Sequence, residues 1–425
     1  PRRYRQFDYL EMVQEIRCDL PQLKHLIIAG AEGPEGTVSL HQIGQIGQTR
    51  WEEQYPSTGL EQTSLGPWEV SEVLLTSGST GVPKLCERTE AVYGAYGRHT
   101  AETLGLTPHD VIGVFSPLSG GPGLAAWCGA LRTAAKSVLL NRLEGEGMLA
   151  AIQSERVTVV STMPTGLIRM LNHDRLGDYD LSSLQVVRCG AAALEPSVAQ
   201  EAESRLGCRV VPTAGSREVG ISSCSIEDPP AVRFHTVGRP MPGNEVKLVD
   251  DEGDEVPLGE VGELVVRGPF SSSGYYNDLT ATLETWGELG PGGWYHTGDL
   301  ARHDGAGNLT LVGRKKDMIL RGGQNIYPRE IELYLLGHRC IADVCVVPYP
   351  DPVMGERACA CVILKAGCRL TFEEMVAFLR GEKLAPYKLP ERLENIGHFP
   401  LLGDGLKVDR RALGRDVALK TQSSG

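Results

Sequence analysis

Glycines and hydroxyl-bearing residues make up most of a short stretch that follows an apolar run and ends in a lysine. Residues 75–84 read LTSGSTGVPK, directly after Val73-Leu74. Glycine lets backbone N–H groups turn toward an anion, hydroxyls add donors, and lysine adds positive charge, so the stretch predicts a polyphosphate cradle. A turn without a ligand can have the same composition. The stretch lacks the Gly-Lys-Ser/Thr ending of a Walker loop.

Two later segments also place charged residues next to turns. Residues 294–299 read WYHTGD, and residues 313–326 read GRKKDMILRGGQNI. Taken singly, an aspartate in a Thr-Gly-Asp turn is typical of turn chemistry, and a Lys-Lys-Asp run is typical of a solvated surface. By themselves these segments therefore favour a structural interpretation, but all three occur in order along one chain.

This ordered set resembles the adenylate-forming superfamily, which contains acyl-CoA synthetases, adenylation domains of peptide synthetases and luciferases. Further stretches agree with the resemblance: CGAAAL at 189–194, GEL at 262–264 with GYY at 274–276, and KVDR at 407–410. The phrases PKLCERTEAVY, DPVMGERACACVILK and APYKLPERLE are closest in texture to aryl-acid AMP ligases and to aryl or alicyclic acyl-CoA ligases.

The resemblance implies a reaction in two steps. A carboxylate attacks the α-phosphate of ATP and expels pyrophosphate, and the acyl-adenylate then passes its acyl group to a thiol of CoA or of a phosphopantetheine on an acyl-carrier protein. Such chemistry needs charge neutralisation and in-line positioning rather than a protein nucleophile. The implied ligands are therefore ATP, Mg²⁺ and a small carboxylic acid.

The resemblance also assigns the nucleotide-binding residues. Asp299 is expected to accept hydrogen bonds from the ribose hydroxyls, with Arg314 nearby. Small residues let the backbone approach the adenine ring closely in a flat slot. The residues expected to bind the nucleotide are Thr76, Ser77, Gly78, Ser79, Thr80, Gly81 and Lys84 at the phosphates, Gly190, Ala191 and Ala192 at adenine, and Ala214, Gly215, Asp299 and Arg314.

Three residues are expected to take part in catalysis. Glu218 matches the family's acidic residue near Mg²⁺, a metal that commonly uses one or two carboxylates together with substrate phosphates. Lys407 is the candidate catalytic lysine, which bridges the attacking carboxylate and the α-phosphate as charge builds up. Arg217 stands where the family has a threonine near the α-phosphate, and it either clamps a phosphate or reorganises the site.

Other departures from the family pattern concern the acid pocket and the chain ends. Gly120 replaces a histidine or aromatic residue, which shortens one wall of the pocket. Ala214 stands where the family has an aromatic residue that stacks on adenine. The loop before Lys407 has an extra residue compared with the family pattern. The chain begins at Pro1, and we expect part of the first subdomain to be missing because relatives have a longer segment before the phosphate loop.

Hydrophobic periodicity predicts the elements that position these residues. A helix is predicted over 7–20, and a long connection over 31–69. From Val70 to about 225, helices such as 91–104 alternate with short apolar strands, as in a parallel α/β sheet. Strands separated by Gly- and Asp-rich turns over 235–312 predict an antiparallel β region. Beyond it, helices at 328–337 and 371–382 and strands at 341–348 and 357–365 predict a small α+β domain, and the tail after Leu419 is expected to be mobile.

The predicted organisation is therefore a large α/β N-terminal domain over 1–313 and a small mobile C-terminal α+β domain over 314–425. Lys316 lies where the family places its hinge, and a swing there would exchange Lys407 for the Gly322-Gly323 region at the active site. Two alternatives stay open: an ATP-dependent diazotase that activates nitrite toward an arylamine, and a catalytically degenerate nucleotide-binding protein.

Composition excludes several other classes of protein. The 42 basic and 54 acidic residues give a net charge of −12, which argues against a surface for nucleic acid or anionic membrane. The 41% hydrophobic content supports a full core, and the sequence lacks an apolar run long enough to span a bilayer. Eleven scattered cysteines without a Cys-x-x-Cys pair predict reduced thiols and a cytoplasmic protein. His99, His109, His235 and His296 are not spaced as a metal site.

Overall fold

The computed structural model describes residues 3–4, 7–29, 33–45, 65–76, 84–140, 143–287, 292–401 and 408–422. It divides into two compact units, residues 1–66 and 67–425. The elements of the first unit are strands β1 (Arg3–Tyr4) and β2 (Phe7–Asp8), helix α1 (Tyr9–Ile16) with a 3₁₀ turn at Arg17–Asp19, and strands β3 (Ile27–Ile28) and β4 (Val38–Ser39).

Helix α1 confirms the helical prediction for residues 7–20, with a later start. The carboxylate of Asp8 caps the helix, because it accepts hydrogen bonds from the N–H groups of Leu10 and Glu11 at 3.1 Å each. The predicted long connection is partly wrong, since its described part holds β4 and a helical stretch at 40–45. Residues 46–64 of that connection lie outside the described part of the chain.

The strands of the second unit up to residue 314 are β5 (Val70–Leu75), β6 (Leu85–Thr89), β7 (Val111–Phe115), β8 (Lys136–Leu139), β9 (Val159–Thr162), β10 (Val186–Cys189), β11 (Arg209–Gly215), β12 (Gly220–Ser223), β13 (Arg239–Pro240), β14 (Glu245–Val249), β15 (Gly262–Arg267), β16 (Gly274–Tyr275), β17 (Tyr295–His303) and β18 (Leu309–Arg314). Its helices up to that point are α2 (Glu90–Leu104), α3 (Gly121–Thr133), α4 (Gly145–Glu155), α5 (Pro164–Leu171), α6 (Pro196–Leu206), α7 (Pro230–His235) and α8 (Leu279–Trp286), with a 3₁₀ turn at Leu176–Asp178.

A largely parallel sheet forms the centre of this unit, in the order β13-β12-β11-β10-β9-β7-β8. Strands β8, β7, β9, β10 and β11 are parallel, and β12 and β13 are antiparallel. The middle strands β9 and β10 are buried along their whole length, so neither shows the alternation of buried and exposed positions that is typical of a half-exposed strand. The predicted α/β region is confirmed.

Two antiparallel sheets flank this core, in the orders β14-β15-β17-β18 and β16-β6-β5. The first spans residues 245–314 and so lies almost entirely in the segment 235–312, where Gly- and Asp-rich turns predicted an antiparallel region, and that prediction is confirmed. The buried rings of Tyr275, Trp286 and Tyr295 pack together and join the two sheets, with ring centroids 5.1 and 5.0 Å apart.

The remaining elements follow Arg314. They are a 3₁₀ turn at Lys315–Asp317, strands β19 (Ile319–Arg321) and β20 (Gln324–Ile326), helix α9 (Pro328–Leu336), strands β21 (Ile341–Asp351) and β22 (Gly355–Leu364), helix α10 (Phe372–Gly381), a 3₁₀ turn at Pro386–Lys388, strand β23 (Arg392–Asn395) and helix α11 (Arg410–Gln422).

This C-terminal segment has a hydrophobic core of its own, built from α9, α10 and the sheet β20-β19-β22-β21 with β23 beside β22. A capping box between Thr371 and Glu374 starts α10, as the predicted helix 371–382 requires. The expected tail after Leu419 is wrong for residues 420–422, which end α11. The domain boundary at 313/314 stays a prediction.

All eleven cysteines are free thiols, in agreement with the reduced pattern predicted. The Sγ atoms of Cys359 and Cys361 lie 3.9 Å apart on β22 without a bond between them. Among the described residues, none of the helices combines the length and the apolar character needed to cross a bilayer.

Candidate active site

The carboxyl ends of the parallel strands bring three of the predicted turns together. Strand β7 leads into Gly120-Gly121 at the start of α3, β10 leads into residues 190–192, and β11 ends at Gly215. In parallel sheets, ligands bind outside the carboxyl ends of the strands. A Cβ added to Gly121 would lie 3.9 Å from the Cβ of Ala191, so the first two turns face each other.

Steric closure explains the small residues in these turns. A Cβ at Gly190 would lie 2.5 Å from the Cγ2 of Thr213, and a Cβ at Gly215 would lie 2.8 Å from the carbonyl oxygen of Val219. Ala191 has a left-handed backbone with φ +70°, which is unusual for a residue with a side chain. Ala191 and Ala192 are exposed, whereas Ala214 is buried. The turns thus present backbone and methyl groups, as a flat slot for an adenine ring would require.

The two ends of the predicted phosphate loop are held together by hydrogen bonds. The N–H of Thr76 donates to the carbonyl oxygen of Lys84 at 2.8 Å, and the N–H of Lys84 donates to the Oγ1 of Thr76 at 3.0 Å. The loop therefore starts and ends at one point, at the end of the β5-β6 ladder. Residues 77–83, which include the predicted phosphate ligands Ser77, Gly78, Ser79, Thr80 and Gly81, lie outside the described residues.

A tyrosine connects the end of this loop to the predicted metal ligand. The Nζ of Lys84 lies 4.7 Å from the centre of the Tyr275 ring, and the hydroxyl of Tyr275 donates to Oε1 of Glu218 at 3.2 Å. Burial, together with the charge of Glu218, raises the pKa of Tyr275, so its hydroxyl stays protonated and remains a donor. Lys84 and Glu218 are thereby placed on the same side of the site, although 134 positions separate them in the chain.

The predicted ribose ligand and its arginine lie opposite each other on adjacent antiparallel strands. Asp299 on β17 pairs with Arg314 on β18, and Nε of Arg314 lies 2.6 Å from Oδ1 of Asp299. The N–H of Asp299 donates to the Oγ1 of Thr297 at 2.9 Å, which fixes the turn. Burial raises the pKa of Asp299, while Arg314 opposes that rise and favours the carboxylate. The pair leaves the second carboxylate oxygen for another donor.

A second ion-pair cluster lies beside the Asp299–Arg314 pair, around a cleft of about 390 Å³. Oε2 of Glu263 lies 2.9 Å from the Nζ of Lys315, which also lies 2.8 Å from Oδ1 of Asp251. Nδ1 of His296 lies 3.4 Å from Oε1 of Glu263. Since Lys315 begins the predicted hinge segment, these contacts attach that segment to β15. The cleft is lined by Glu263, His296, Thr297, Gly298, Arg314, Lys315 and Lys316.

Glu263 is expected to make folding stability depend on acid pH. The hydrogen bond from His296, followed by that from Lys315, lowers the pKa of Glu263 to about 2 against burial, from an ordinary value of 4.5. A lowered pKa stabilises the fold above pH 4.5, and this stability is lost as the pH falls toward 2. Glu263→Gln should remove roughly 2–3 kcal/mol of unfolding free energy at pH 7 and flatten its fall below pH 4.5.

Denaturant titration between pH 7 and pH 3 measures this effect. The control is Glu245→Gln on the neighbouring strand, because Glu245 also pairs with a cation, Arg267 at 2.8 Å, but is 62% exposed. That variant should follow the unsubstituted protein. Equal pH dependence of the unsubstituted protein and of Glu263→Gln would contradict the prediction.

Arg217 and Gly120, the two departures from the family pattern, are in contact. A Cβ at Gly120 would lie 3.3 Å from the Cγ of Arg217, so the arginine stem passes over the glycine. The guanidinium donates to the carbonyl oxygen of Leu75, at the start of the phosphate loop. The carbonyl oxygen of Arg217 accepts hydrogen bonds from Arg88 and from the thiol of Cys86. Arg217 is therefore held between the shortened wall and the phosphate loop.

The loop that carries Lys407 closes between two paired residues. Leu401 and Val408 form an isolated antiparallel bridge, and the N–H of Asp409 donates to the carbonyl oxygen of Pro400 at 2.8 Å. Lys407 itself lies outside the described residues, as do residues 402–406.

The residue that starts the helix after this loop anchors it to α9. Nη2 of Arg410 lies 2.7 Å from Oε1 of Glu332, which is 1% exposed, and Nε of Arg410 lies 3.8 Å from Oδ2 of Asp317. Oε1 of Glu332 also accepts the N–H of Val346 at 2.8 Å. From α9, Arg329 pairs with Glu195, just beyond the adenine slot.

Sequence reasoning missed several residues that organise the site. Tyr275 and Glu263 belong to the motif stretches 274–276 and 262–264, but no role was inferred for either. The sequence signal that could have identified them is their place in those motifs. The hydroxyl of Tyr295 accepts a hydrogen bond from Ser216 at 3.4 Å, and its position in the segment 294–299 is the sequence signal that could have identified it. A metal-binding group of three or more His, Cys, Asp or Glu residues is absent from the described residues.

Comparison with known proteins identifies the family. Residues 8–276 match the AMP-binding enzyme family and residues 330–405 match the AMP-binding enzyme C-terminal domain. The chain is 33% identical to the 2-hydroxy-7-methoxy-5-methyl-1-naphthoate–CoA ligase of Streptomyces carzinostaticus over 97% of this chain and 74% of that protein. It is 32% identical to the salicyl-AMP ligase / salicyl-S-ArCP synthetase of Mycobacterium tuberculosis, over 98% and 71%.

The fold agrees with this assignment. The anthranilate CoA ligase AuaEII, solved in complex with anthranoyl-AMP, is similar with a TM-score of 0.83 and 25% identity, over 98% of this chain and 77% of that one. These relatives give no support to the diazotase or the degenerate alternative. The predicted α/β fold class and the resemblance are both confirmed, and the chain belongs to the AMP-binding enzyme family, whose members form an acyl-AMP from ATP and a carboxylic acid.

Proposed function

We propose that the protein is an ATP-dependent acid–thiol ligase for a small aryl or alicyclic carboxylic acid. It adenylates the acid and transfers the acyl group to the thiol of CoA or of an acyl-carrier protein. The observation that carries the proposal is the arrangement of the Asp299–Arg314 pair, the Lys84–Tyr275–Glu218 contacts and the turns at the carboxyl ends of β7, β10 and β11.

These groups supply what acyl adenylation requires. The ionised Asp299 accepts from ribose hydroxyls, and Lys84 neutralises phosphate charge at the base of the 77–83 loop. Gly190, Ala191 and Ala192 leave room for a flat ring. Arg217, whose guanidinium donates to the Leu75 carbonyl at the start of the phosphate loop, would clamp the α-phosphate. Lys407 neutralises the charge that develops between the acid and the α-phosphate.

Glu218 fits a Mg²⁺ site of the kind that shares its ligands with a substrate. Tyr275 occupies one carboxylate oxygen of Glu218, and the other oxygen is available to a cation. A single carboxylate together with ATP phosphates is a common Mg²⁺ environment. Bound there, Mg²⁺ would neutralise phosphate charge; Glu218 would hold it and Tyr275 would orient that carboxylate.

The relatives favour an aryl acid over other classes of acid. Several proteins matched over more than nine-tenths of this chain are named for a hydroxynaphthoate, for salicylate and for anthranilate, all of them aryl acids, whereas another is a medium-chain fatty-acid–CoA ligase with 34% identity. Their names also include a CoA ligase and a carrier-protein synthetase, and both acceptors are therefore retained. No site residue described above distinguishes one acceptor from the other.

Pyrophosphate exchange into ATP tests the proposal directly. The assay is run with Mg²⁺ and a panel of aryl, alicyclic and short fatty acids, followed by thioester formation with CoA and with a phosphopantetheinylated carrier protein. Exchange that depends on an aryl or alicyclic acid is expected. Exchange that requires nitrite and an arylamine would replace the proposal with the diazotase alternative, and ATP binding without any exchange would favour the degenerate one.

Asp299→Ala is expected to weaken ATP binding selectively. Loss of a charged hydrogen-bond acceptor costs about 1.5–3 kcal/mol, so the KM for ATP should rise roughly 10- to 100-fold while the KM for the acid changes little. The control is Asp180→Ala, which breaks an Asp–Arg pair of 2.7 Å whose partners are 55% and 56% exposed. An unchanged KM for ATP in Asp299→Ala would show that ribose binds elsewhere.

A further inference from the structure

The three fully buried arginines of the described chain differ in how their charge is balanced. Arg233 pairs with the carboxylate of Glu203. Arg88 donates to the carbonyl oxygen of Arg217 and lies 5.5 Å from the centre of the Tyr96 ring. Arg188, which is 3% exposed on β10, has no ion pair with any described carboxylate.

Arg188 is also poorly supplied with neutral acceptors. Its Nη1 donates to the carbonyl oxygen of Pro122 at 3.4 Å, and its Nη2 donates to Oγ1 of Thr213 at 3.3 Å, both long hydrogen bonds for a group with five N–H donors. Burial lowers the pKa of Arg188 to about 10, so the guanidinium still carries its charge at neutral pH. An unbalanced buried charge is costly, and such groups are kept where an anion or strong acceptor meets them.

Another unsatisfied polar atom lies near the same place. The Nε2 of His99 is buried and has no hydrogen-bond partner. Thr213, which Arg188 contacts, has its own hydroxyl donated to the carbonyl oxygen of Ser222 at 3.0 Å. Burial, together with the positive charge of Arg188, lowers the pKa of His99 to about 4, which keeps its ring neutral. We call Arg188, Thr213 and His99 the polar floor.

The polar floor lies directly beneath the proposed acid and adenine turns. Pro122 follows Gly120-Gly121, and Thr213 lies against Gly190, where an added Cβ would be 2.5 Å from the threonine methyl and 3.3 Å from Cγ of Pro122. Arg188 thus contacts Pro122, which follows the turn after β7, and Thr213, which lies against Gly190 in the turn after β10.

We propose that Arg188 determines the specificity of the acid pocket, and that the preferred substrate is an acid with a second oxygen acceptor, a ring hydroxyl or a second carboxylate, that meets the polar floor. This rests on the proposed function and names its substrate class more narrowly. A site with buried donors rejects an analogue that lacks the matching acceptor, because the donors are then left without a partner. An unsubstituted aryl or alicyclic acid leaves Arg188 in that state.

Matched acids test the proposal in the pyrophosphate-exchange assay. Benzoate and cyclohexanecarboxylate are compared with the three monohydroxybenzoates and the three benzenedicarboxylates. We expect kcat/KM for at least one acid with a second acceptor to exceed that for benzoate by more than about tenfold. Arg188→Met, which keeps an unbranched apolar stem and removes the guanidinium, should reduce this ratio at least tenfold, and Arg188→Lys should restore part of it.

Arg209→Met serves as the control, since Arg209 lies on the neighbouring parallel strand β11, is exposed and contacts the carbonyl oxygen of Ile226. Its selectivity should equal that of the unsubstituted protein, and ATP binding by each variant checks its folding. If the unsubstituted protein prefers benzoate, or if Arg188→Met and Arg188→Lys keep the full ratio, the inference is wrong although adenylation stands. If no acid supports exchange, the proposed function fails first.

Discussion

Replacing Lys407 with alanine is expected to lower the rate of acyl-adenylate formation roughly 10²- to 10³-fold. The lysine is the only cation in the loop 402–407, and that loop closes between Leu401 and Val408. Its charge acts on the oxygens that become more negative in the transition state, so kcat should fall while the KM for ATP stays nearly unchanged. Pyrophosphate exchange at saturating acid measures the loss.

Lys420→Ala is the matched control, because this exposed lysine on α11 pairs with Glu394 at 3.1 Å and lies outside the proposed site. It should retain exchange. Transfer of a preformed acyl-adenylate to the thiol should also survive in Lys407→Ala, since the swing predicted at the Lys316 hinge withdraws Lys407 from the active site for that step. Unimpaired exchange in Lys407→Ala would show that the extra residue in the loop moves the catalytic cation to another position.

Replacing Glu332 with alanine is expected to destabilise the C-terminal segment by about 3–5 kcal/mol. The carboxylate is 1% exposed and accepts from Arg410 and from the N–H of Val346, while Nη1 of Arg329 lies 3.9 Å from it. Its removal leaves the charge of Arg410 and a buried N–H unbalanced. Denaturant unfolding, followed by the exchange of amides in β21 and α11, should show the loss.

Glu330→Ala, on the same helix α9, provides the comparison. Glu330 pairs with Lys388 at 2.6 Å but is 24% exposed, so its loss should cost about 1 kcal/mol. Equal losses in the two variants would mean that solvent screens Glu332 as well and that the network around Arg410 contributes little. A further consequence is that Glu332→Ala should slow adenylation, because Arg410 starts the helix directly after the Lys407 loop.

The apolar runs were sufficient to predict the parallel strands because β9 and β10 are buried on both faces. The helix at 371–382 was predictable from its capping residues. Helix α11 was not predicted: its sequence, RRALGRDVALKTQ, is mostly polar and contains a glycine, and only Leu413 and Val417 are buried in its apolar stripe. Contact with the distant strand β21 supplies the stabilisation that local pattern does not show.

The same difference holds for the candidate site. Turns such as 190–192 and the Asp299 segment could be found because each is a local motif. The contact between Lys84, Tyr275 and Glu218 joins residues from three distant segments, and it needs the sheet β16-β6-β5 to lie beside the end of β11. Arg188 has no local signal, since a buried charge without a partner can be recognised only once its neighbours are known.

The contact between Gly120 and Arg217 couples the residue types that these two positions can hold. A Cβ at position 120 would lie 3.3 Å from the Cγ of Arg217, so the arginine stem would have to shift, and the φ of +143° at Gly120 also disfavours any other residue. A histidine or aromatic residue introduced at 120 alone is therefore unfavourable, and the two positions should change as a pair between lineages.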